Sequence, residues 1–417
     1  MPLLRFLVLA VAASLMSACA PALAPEKSAL GNPEMPYEPS RPPQVGDILH
    51  LPTGYYVAEE VMLAHAAEPR IVYIGETHDN PAAHRVQLRV LQHLAERYPN
   101  GLALGMEMFT TAQQEALDRW VAGELEEKDF LRDSDWYNTW RMDFAYYRDL
   151  LMLARSHRIP VIGLNAERSL VRAVSQSPPT ELPADLQARL PELDLSDPYH
   201  QAMTEAIFAG HDAGPNSGDG FLRVQTLWDE VMAESIVRYL QSPQGEKRRM
   251  VVLAGGNHVR HGFGIPRRVF RRLPASYLII GSKEIIIPPD KQDRLMDVDM
   301  PQFPMMPYHF MVFTEYESLA APEVKLGILL EVRETGVGVA GVMPGSPGER
   351  AGLQKDDVLL EMDGEKLGDN FDLIYLVKQK KPGDRSRLRI ERAGEQMDID
   401  VEFFIMGADH PPATKDQ

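Results

Sequence analysis

The sequence predicts an α/β domain, a largely parallel sheet with helices on both faces, followed by a small β-rich domain. Three observations carry this. Short apolar runs at 71–75, 102–106, 160–164, 249–254 and 277–281 alternate with longer amphipathic stretches, the pattern of strands joined by crossover helices. Most of these runs stop in polar residues (Glu76 and His78, Glu107, Asn165, Asn257 and His258), as strands do at the rim of a parallel sheet. Beyond residue 323 the texture changes to short β-rich runs at 339–342, 358–362, 387–392 and 397–403, with one helix at 371–378.

At 417 residues, 44% hydrophobic and 25% charged, the chain is long enough for two folded domains. A net charge of −17, with only short basic pieces at 247–249 and 271–272, argues against a nucleic-acid partner, which needs a basic face, and leaves room for a local basic pocket that takes an acidic ligand. The single cysteine, Cys19, excludes an internal disulfide and a cysteine-based zinc site within one chain. Residues 1–18 carry one positive charge at Arg5, an apolar run at 6–16 and small residues Ser17 and Ala18, the layout of a secretion signal. That run is too short to stay as a membrane span. The segment LMSAC resembles a lipobox, which implies lipidation of Cys19, attachment to the membrane by lipid alone and a bacterial envelope location; Ala20 after it implies the outer membrane. A plain signal peptide with an incidental cysteine is the competing reading.

Residues 19–52, rich in Pro and Ala without periodicity, read as a tether between lipid and fold. The α/β domain is expected over 53–290. Its first firm strand, 71–75, leads into a helix at 81–97 with Val86, Leu88, Val90, Leu91 and Leu94 at helical spacing, capped by Asn80 with Pro81 in its first turn. The second strand follows at 102–106, so the unit is a right-handed βαβ. Helices are expected at 112–121, 126–131 and 143–157, then the third strand and a helix from about 166. The proline-rich stretch 178–198 reads as a surface connection or lid, and 221–241 as a strongly amphipathic helix before the fourth and fifth strands. Residues 291–322, with prolines and the methionines Met296, Met300, Met305, Met306 and Met311, read as a connector. The β-rich domain spans 323–405 and a flexible tail 406–417.

In a parallel sheet the strand ends carrying Glu76, His78, Glu107 and His258 converge on one edge. Two Glu and two His there could bind a divalent metal, or pair a carboxylate base with an imidazole for hydrolysis. For each residue alone, a satisfied turn is the blander account. Asp229 and Glu230 could support the site, but a solvated helix face is the plainer expectation, and His211 is expected in an exposed loop. No Gly-x-Ser-x-Gly elbow or Walker loop occurs, which removes serine-hydrolase and P-loop readings.

The segments YIGETHDN, GMEMF, IPVIGLNAER, VQTLWDEVMAESI and VLAGGNHVRHGFGIPRRV, from about 71 to 281, resemble the ChaN-like haem-binding lipoproteins of bacteria. Their Gly-x-x-His elements, 75–78 and 255–258, are shared with the superfamily of the Tiki and TraB metalloproteases and the erythromycin esterases. The resemblance implies that Glu76, His78, Glu107 and His258 match active-site or metal-site positions. In the ChaN-like branch it implies instead haem binding for iron uptake, a tyrosine axial ligand and haem held between two subunits, hence a homodimer. Phenolate is a hard anion suited to ferric haem. No motif selects the tyrosine: Tyr137, Tyr146 and Tyr147 in DWYNTWRMDFAYYRDLL and Tyr199 beside His200 are candidates, with Tyr308 and His309 weaker. Such helical spacing more often serves core packing.

KLGILLEV and VMPGSPGERAGLQKDDVLLEMDGEKL resemble a PDZ domain of bacterial protease-associated type. The resemblance implies that Leu326, Gly327 and Ile328 form the loop that cradles a peptide's C-terminal carboxylate, beside an edge strand, with Lys325 favourable for the charge. A degenerate PDZ kept for packing is the plainer account. Three functions follow: a haem-binding protein with a peptide-docking module, which the resemblance favours; a metal-dependent hydrolase or peptidase; and a non-catalytic envelope scaffold.

Overall fold

The computed structural model describes residues 31–209, 218–294, 298–319 and 323–406. Cys19 with the signal-like segment, His211, Met296 and the tail from 407 onward lie outside the described residues.

The first domain is built on one sheet of β1 (Ile48–His50), β2 (Tyr55–Val57), β3 (Ile71–Glu76), β4 (Leu102–Thr110), β5 (Val161–Asn165), β6 (Arg249–Gly255), β7 (Tyr277–Ile286) and β8 (Phe310–Glu315). The order is β2-β1-β8-β7-β3-β6-β4-β5; β3 to β8 run parallel, and β1 is antiparallel to β2 and β8. Alternation within β3 shows why both faces are covered. Val72 and Ile74 pack with Val86, Val90, Leu91 and Leu94 of helix Pro81–Arg97, whereas Ile71 and Tyr73 pack with Met232, Ala233 and Ile236 of helix Gly218–Gln241. Strands buried on both faces read as continuous apolar runs, which is how five of the six parallel strands were legible.

The sixth, β8, corrects the reading of 291–322 as a connector. Phe310–Thr314 is buried and pairs with β7, but the prolines and methionines before it broke the apparent pattern. β1 likewise takes the end of the supposed tether into the sheet. Proline-rich 178–198 is packed, not a free lid: Leu182, Leu186, Leu190 and Leu193 cluster with Leu227 and Trp228.

Asn80 caps helix Pro81–Arg97 by accepting from the Ala82 N–H at 3.0 Å, while its amide donates to Glu284 and to the Glu315 carbonyl. From β3 the chain crosses to β4; from neighbouring β6 it crosses to β7, on the other side of β3. The crevice at the C-terminal ends of β3 and β6 is therefore a topological switch point, where open α/β sheets place their ligands.

The second domain is an antiparallel sheet of β9 (Ile328–Val332), β10 (Val337–Val342), β11 (Val358–Met362), β12 (Glu365–Lys366), β13 (Arg385–Arg392) and β14 (Glu395–Glu402), with helix Asn370–Lys378. Val337, Val339, Leu359, Leu373, Leu388 and Ile390 form its core. That helix meets the first domain: Arg132 donates to Asp369 and Asp372, Lys128 reaches Asp372 at 3.0 Å, and Tyr137 packs on Phe371.

Candidate functional site

Two glycines let the strand ends cross. A Cβ on Gly75 would lie 2.9 Å from a Val259 methyl and 3.1 Å from the Gly256 Cα, so the turn Gly256–Val259 can lie against β3 only because Gly75 has none. A Cβ on Gly255 would stand 3.0 Å from His78 Nε2 and 3.6 Å from Glu107 Oε2. The four residues predicted to converge do so over this glycine.

Two linked clusters result. In the first, Glu76 Oε1 accepts from the Tyr147 hydroxyl at 2.6 Å and pairs with His78 Nδ1 at 2.7 Å, while Oε2 accepts from the Gln87 amide and faces His84 Nδ1 at 3.4 Å. In the second, Glu107 Oε2 accepts from the Gly255 N–H at 2.6 Å, and Oε1 faces His258 Nε2 at 3.4 Å. His258 Nδ1 donates to Asp229 at 2.7 Å, and the other Asp229 oxygen is 2.9 Å from His200 Nε2. Trp140 stands edge-on to His78 with ring centroids 5.0 Å apart.

Electrostatics follow from this packing. Burial pushes Glu107 upward, but the charge and hydrogen bond of His258, the charge of His78 and the Gly255 N–H outweigh it and bring it to about 2. Asp229 and Glu76 are likewise held below the usual carboxylate range against burial, by His258 with His200 and by His84 with His78. Burial opposes the charge on His258, yet Glu107 and Asp229 raise it well above an ordinary imidazole; His78 is raised by Glu76 and Glu107. The carboxylates are thus favoured in their ionised form, and both imidazoles are shifted toward the protonated form, His258 the more strongly. Of the set, His78 alone is substantially open, with 37% of its side chain exposed, so its Nε2–H is the donor presented to a ligand.

Among the described residues, no group of three or more His, Cys, Asp or Glu is arranged to hold a metal ion. Glu76, His78, Glu107 and His258 direct their polar atoms at one another and at Asp229.

The candidate tyrosines separate by burial. Tyr147 is fully buried and committed to Glu76, its phenol raised by burial and by that carboxylate. Tyr137 lies at the domain interface, and Tyr308 packs over Gly281. His309 Nδ1 accepts from the Ile279 N–H. Tyr199 is 43% exposed and stacks on Phe263; Tyr146 is half-buried near His84.

Asp229 and Glu230 are not on a solvated face. Helix Gly218–Gln241 is covered by the sheet and by helices Pro198–Ala209 and Ile265–Arg272, and Glu230 is fully buried against Arg268, Arg271 and Arg272. No local signal in an amphipathic helix distinguishes such a carboxylate from a solvated one. The sequence leaves room for a local basic pocket but does not place it: a cleft of about 900 Å³ is lined by Arg141, Arg168, Arg172 and Arg223, with Asp219, beside Val171, Phe208 and Phe221. Arg141, Arg168 and Arg172 have no ion-pair partner among the described residues. Arg141 follows Trp140, which stands edge-on to His78.

In the second domain Leu326 and Gly327 are buried and Ile328 opens β9. Gly327 has φ +74°, and a Cβ there would meet the Ser346 Cβ at 2.2 Å, so only glycine makes this loop.

Fold and site together define a two-domain protein, an α/β domain with a crevice at its strand ends followed by a small β-rich domain. Residues 62–269 match the family described as haem-binding uptake, Tiki superfamily, ChaN, and this domain belongs to it; residues 324–403 are a PDZ domain. A solved structure titled as cofacial haem binding to ChaN of Campylobacter jejuni is similar at 16% identity, covering 65% of this chain and 97% of that one, with a TM-score of 0.46. The PDZ segment is 39% identical over 71 residues to a probable periplasmic serine endoprotease, DegP-like, of Hahella chejuensis. That match covers 17% of this chain and 15% of the relative. A DegP-like relative from Rhizobium meliloti is 32% identical over 65 residues, 16% of this chain and 13% of its own length. The chain thus spans only a small part of these curated relatives.

Proposed function

We propose that this chain is a lipid-anchored protein of the bacterial outer membrane that binds haem for iron uptake and docks a partner's C-terminal tail through its PDZ domain. The observation carrying the haem reading is the cleft of Arg141, Arg168 and Arg172 beside Val171, Phe208 and Phe221. Haem is a flat apolar disc with two carboxylates on one edge. Apolar walls beside guanidinium groups that have no ion-pair partner among the described residues fit it on both counts. The bound haem supplies the iron that the protein carries. Arg168 and Arg172 would hold the propionates, and Tyr146 or Tyr199 would provide the phenolate, since Tyr147 is engaged by Glu76. Family membership of residues 62–269 supports the same cargo. The lipobox at Cys19 supports the anchor.

Hemin titrated into the apo protein is expected to saturate at micromolar concentration with the charge-transfer band of phenolate-bound ferric haem. Replacing Arg168 and Arg172 by Glu is expected to weaken binding by about tenfold or more, as two charge-assisted contacts become repulsive. No saturable binding would overturn the proposal.

A second reading rests on the solvent-open His78 imidazole, held by buried Glu76, which has the form of an oriented general acid. As a metal-dependent hydrolase, the protein would carry a divalent ion that His78→Ala and His258→Ala remove; metal content unchanged in both variants discards that reading.

A further inference from the structure

Strand β9 and helix Asn370–Lys378 face each other across the PDZ domain, and the α/β domain closes one end of the space between them. β9 lies at the edge of its sheet and, among the described residues, pairs with β10 alone. One row of its backbone N–H and C=O groups is thus open to an added strand. A peptide adding antiparallel, with its carboxylate at Leu326, Gly327 and Ile328, runs toward Val332, which is 84% exposed. At roughly 3.3 Å per residue, about the fifth residue from the peptide's end arrives there.

At that point lies a cavity of about 420 Å³, walled by Leu330, Val332, Phe371 and Ile374 of the PDZ domain and by Arg132 and Tyr137 of the α/β domain. Tyr137 packs on Phe371 with centroids 5.5 Å apart, and the Arg132 guanidinium lies 4.4 Å over the same ring. Arg132 is already paired with Asp369 and Asp372, so its charge is answered within the protein. The rest of the lining is mixed: Asp135, Asn138, Arg333 and Asn370 are polar, but Asn138 is bonded to Asp135 and Arg333 to Glu331. The aromatic and aliphatic wall of Tyr137, Phe371, Ile374, Leu330 and Val332 is what remains for an apolar side chain.

We infer that the groove is a composite site: the PDZ domain takes the last residues of a partner's C-terminal tail, and the α/β domain, through Tyr137, takes an apolar or aromatic side chain about five residues from the end. Neither domain presents this pocket alone. The inference stands independently of haem binding.

A phage library of hexapeptides with free C termini, selected on the full-length chain, supplies the probe. Selected sequences are expected to concentrate apolar or aromatic residues at the fifth position from the end. By fluorescence anisotropy, the selected hexapeptide is expected to bind about tenfold tighter than its C-terminal tetrapeptide, the effect of one well-packed side chain. Tyr137→Ala should remove that gain and leave the tetrapeptide unchanged; C-terminal amidation should abolish binding of both. Asn138 also lines the cavity and hydrogen-bonds to Asp135 within its own turn. Asn138→Trp fills the space without deleting the Tyr137 contact with Phe371, and should act as Tyr137→Ala does, which decides the matter if that variant fails to fold. The inference is overturned if no carboxylate-dependent peptide is selected, if the fifth position shows no preference, or if both peptides weaken equally.

Discussion

Asp229→Asn is the sharpest test of the buried cluster. Asp229 is 1% exposed and takes charge-assisted hydrogen bonds from His258 Nδ1 at 2.7 Å and from His200 Nε2 at 2.9 Å. The amide keeps the shape but offers one oxygen and one NH₂, so at least one imidazole N–H is left facing a donor. Removing one partner of a buried ion pair costs roughly 3–5 kcal/mol. With a urea dependence of about 2–3 kcal/mol per molar, the midpoint of the α/β domain should fall by about 1–2.5 M. The pH dependence follows from the shifts. A carboxylate held below its ordinary value stabilises the fold above that value and loses the effect as pH falls through the depressed one. A histidine held above its ordinary value stabilises fully below about 6.5 and loses the effect as pH rises through the raised one. His258 is raised well above that value, so the wild-type domain should lose stability on the alkaline side of neutrality. Asp229→Asn, with one attracting carboxylate gone, should lose less there. Urea melts followed by tryptophan fluorescence across pH 5–10, a range of roughly five units around these values, read both effects. A loss under about 1 kcal/mol with an unchanged alkaline limb would refute the ion-paired cluster, because it would match an ordinary surface substitution.

Two further outcomes follow from the geometry. Gly255→Ala places a methyl 3.0 Å from His78 Nε2; it should displace the imidazole and cost about 1–3 kcal/mol, as overpacking does, and an unaltered His78 ring resonance in NMR would contradict the crossing over Gly255. Arg132→Ala and Asp372→Asn, combined in a double-mutant cycle, should show a coupling of about 0.5–1 kcal/mol, kept modest by partial exposure; a coupling near zero would mean that this ion pair does not hold the domains together.

The sequence carried the convergence of Glu76, His78, Glu107 and His258, because each sits where an apolar run ends and parallel strands bring such ends to one edge. It did not carry what they converge on. Asp229 looked like one more polar residue of an amphipathic helix, and Tyr147 like one more aromatic at helical spacing. Their partners lie 29 and 71 residues away, and no local pattern marks such a pairing. β8 was missed for a related reason: a six-residue strand behind prolines and methionines has no periodicity long enough to stand out.

By itself, then, the sequence determined the α/β domain with its five readable strands, the PDZ module and the four strand-end residues, since apolar period, capping and turn chemistry act between near neighbours. Only the tertiary structure decided that those four residues close into a hydrogen-bonded and ion-paired cluster with His78 open to the crevice, that three arginines line one cleft, and that Tyr137 completes a pocket at the end of β9. Those are contacts between distant segments, and burial, which only the folded chain creates, gives them their charge states.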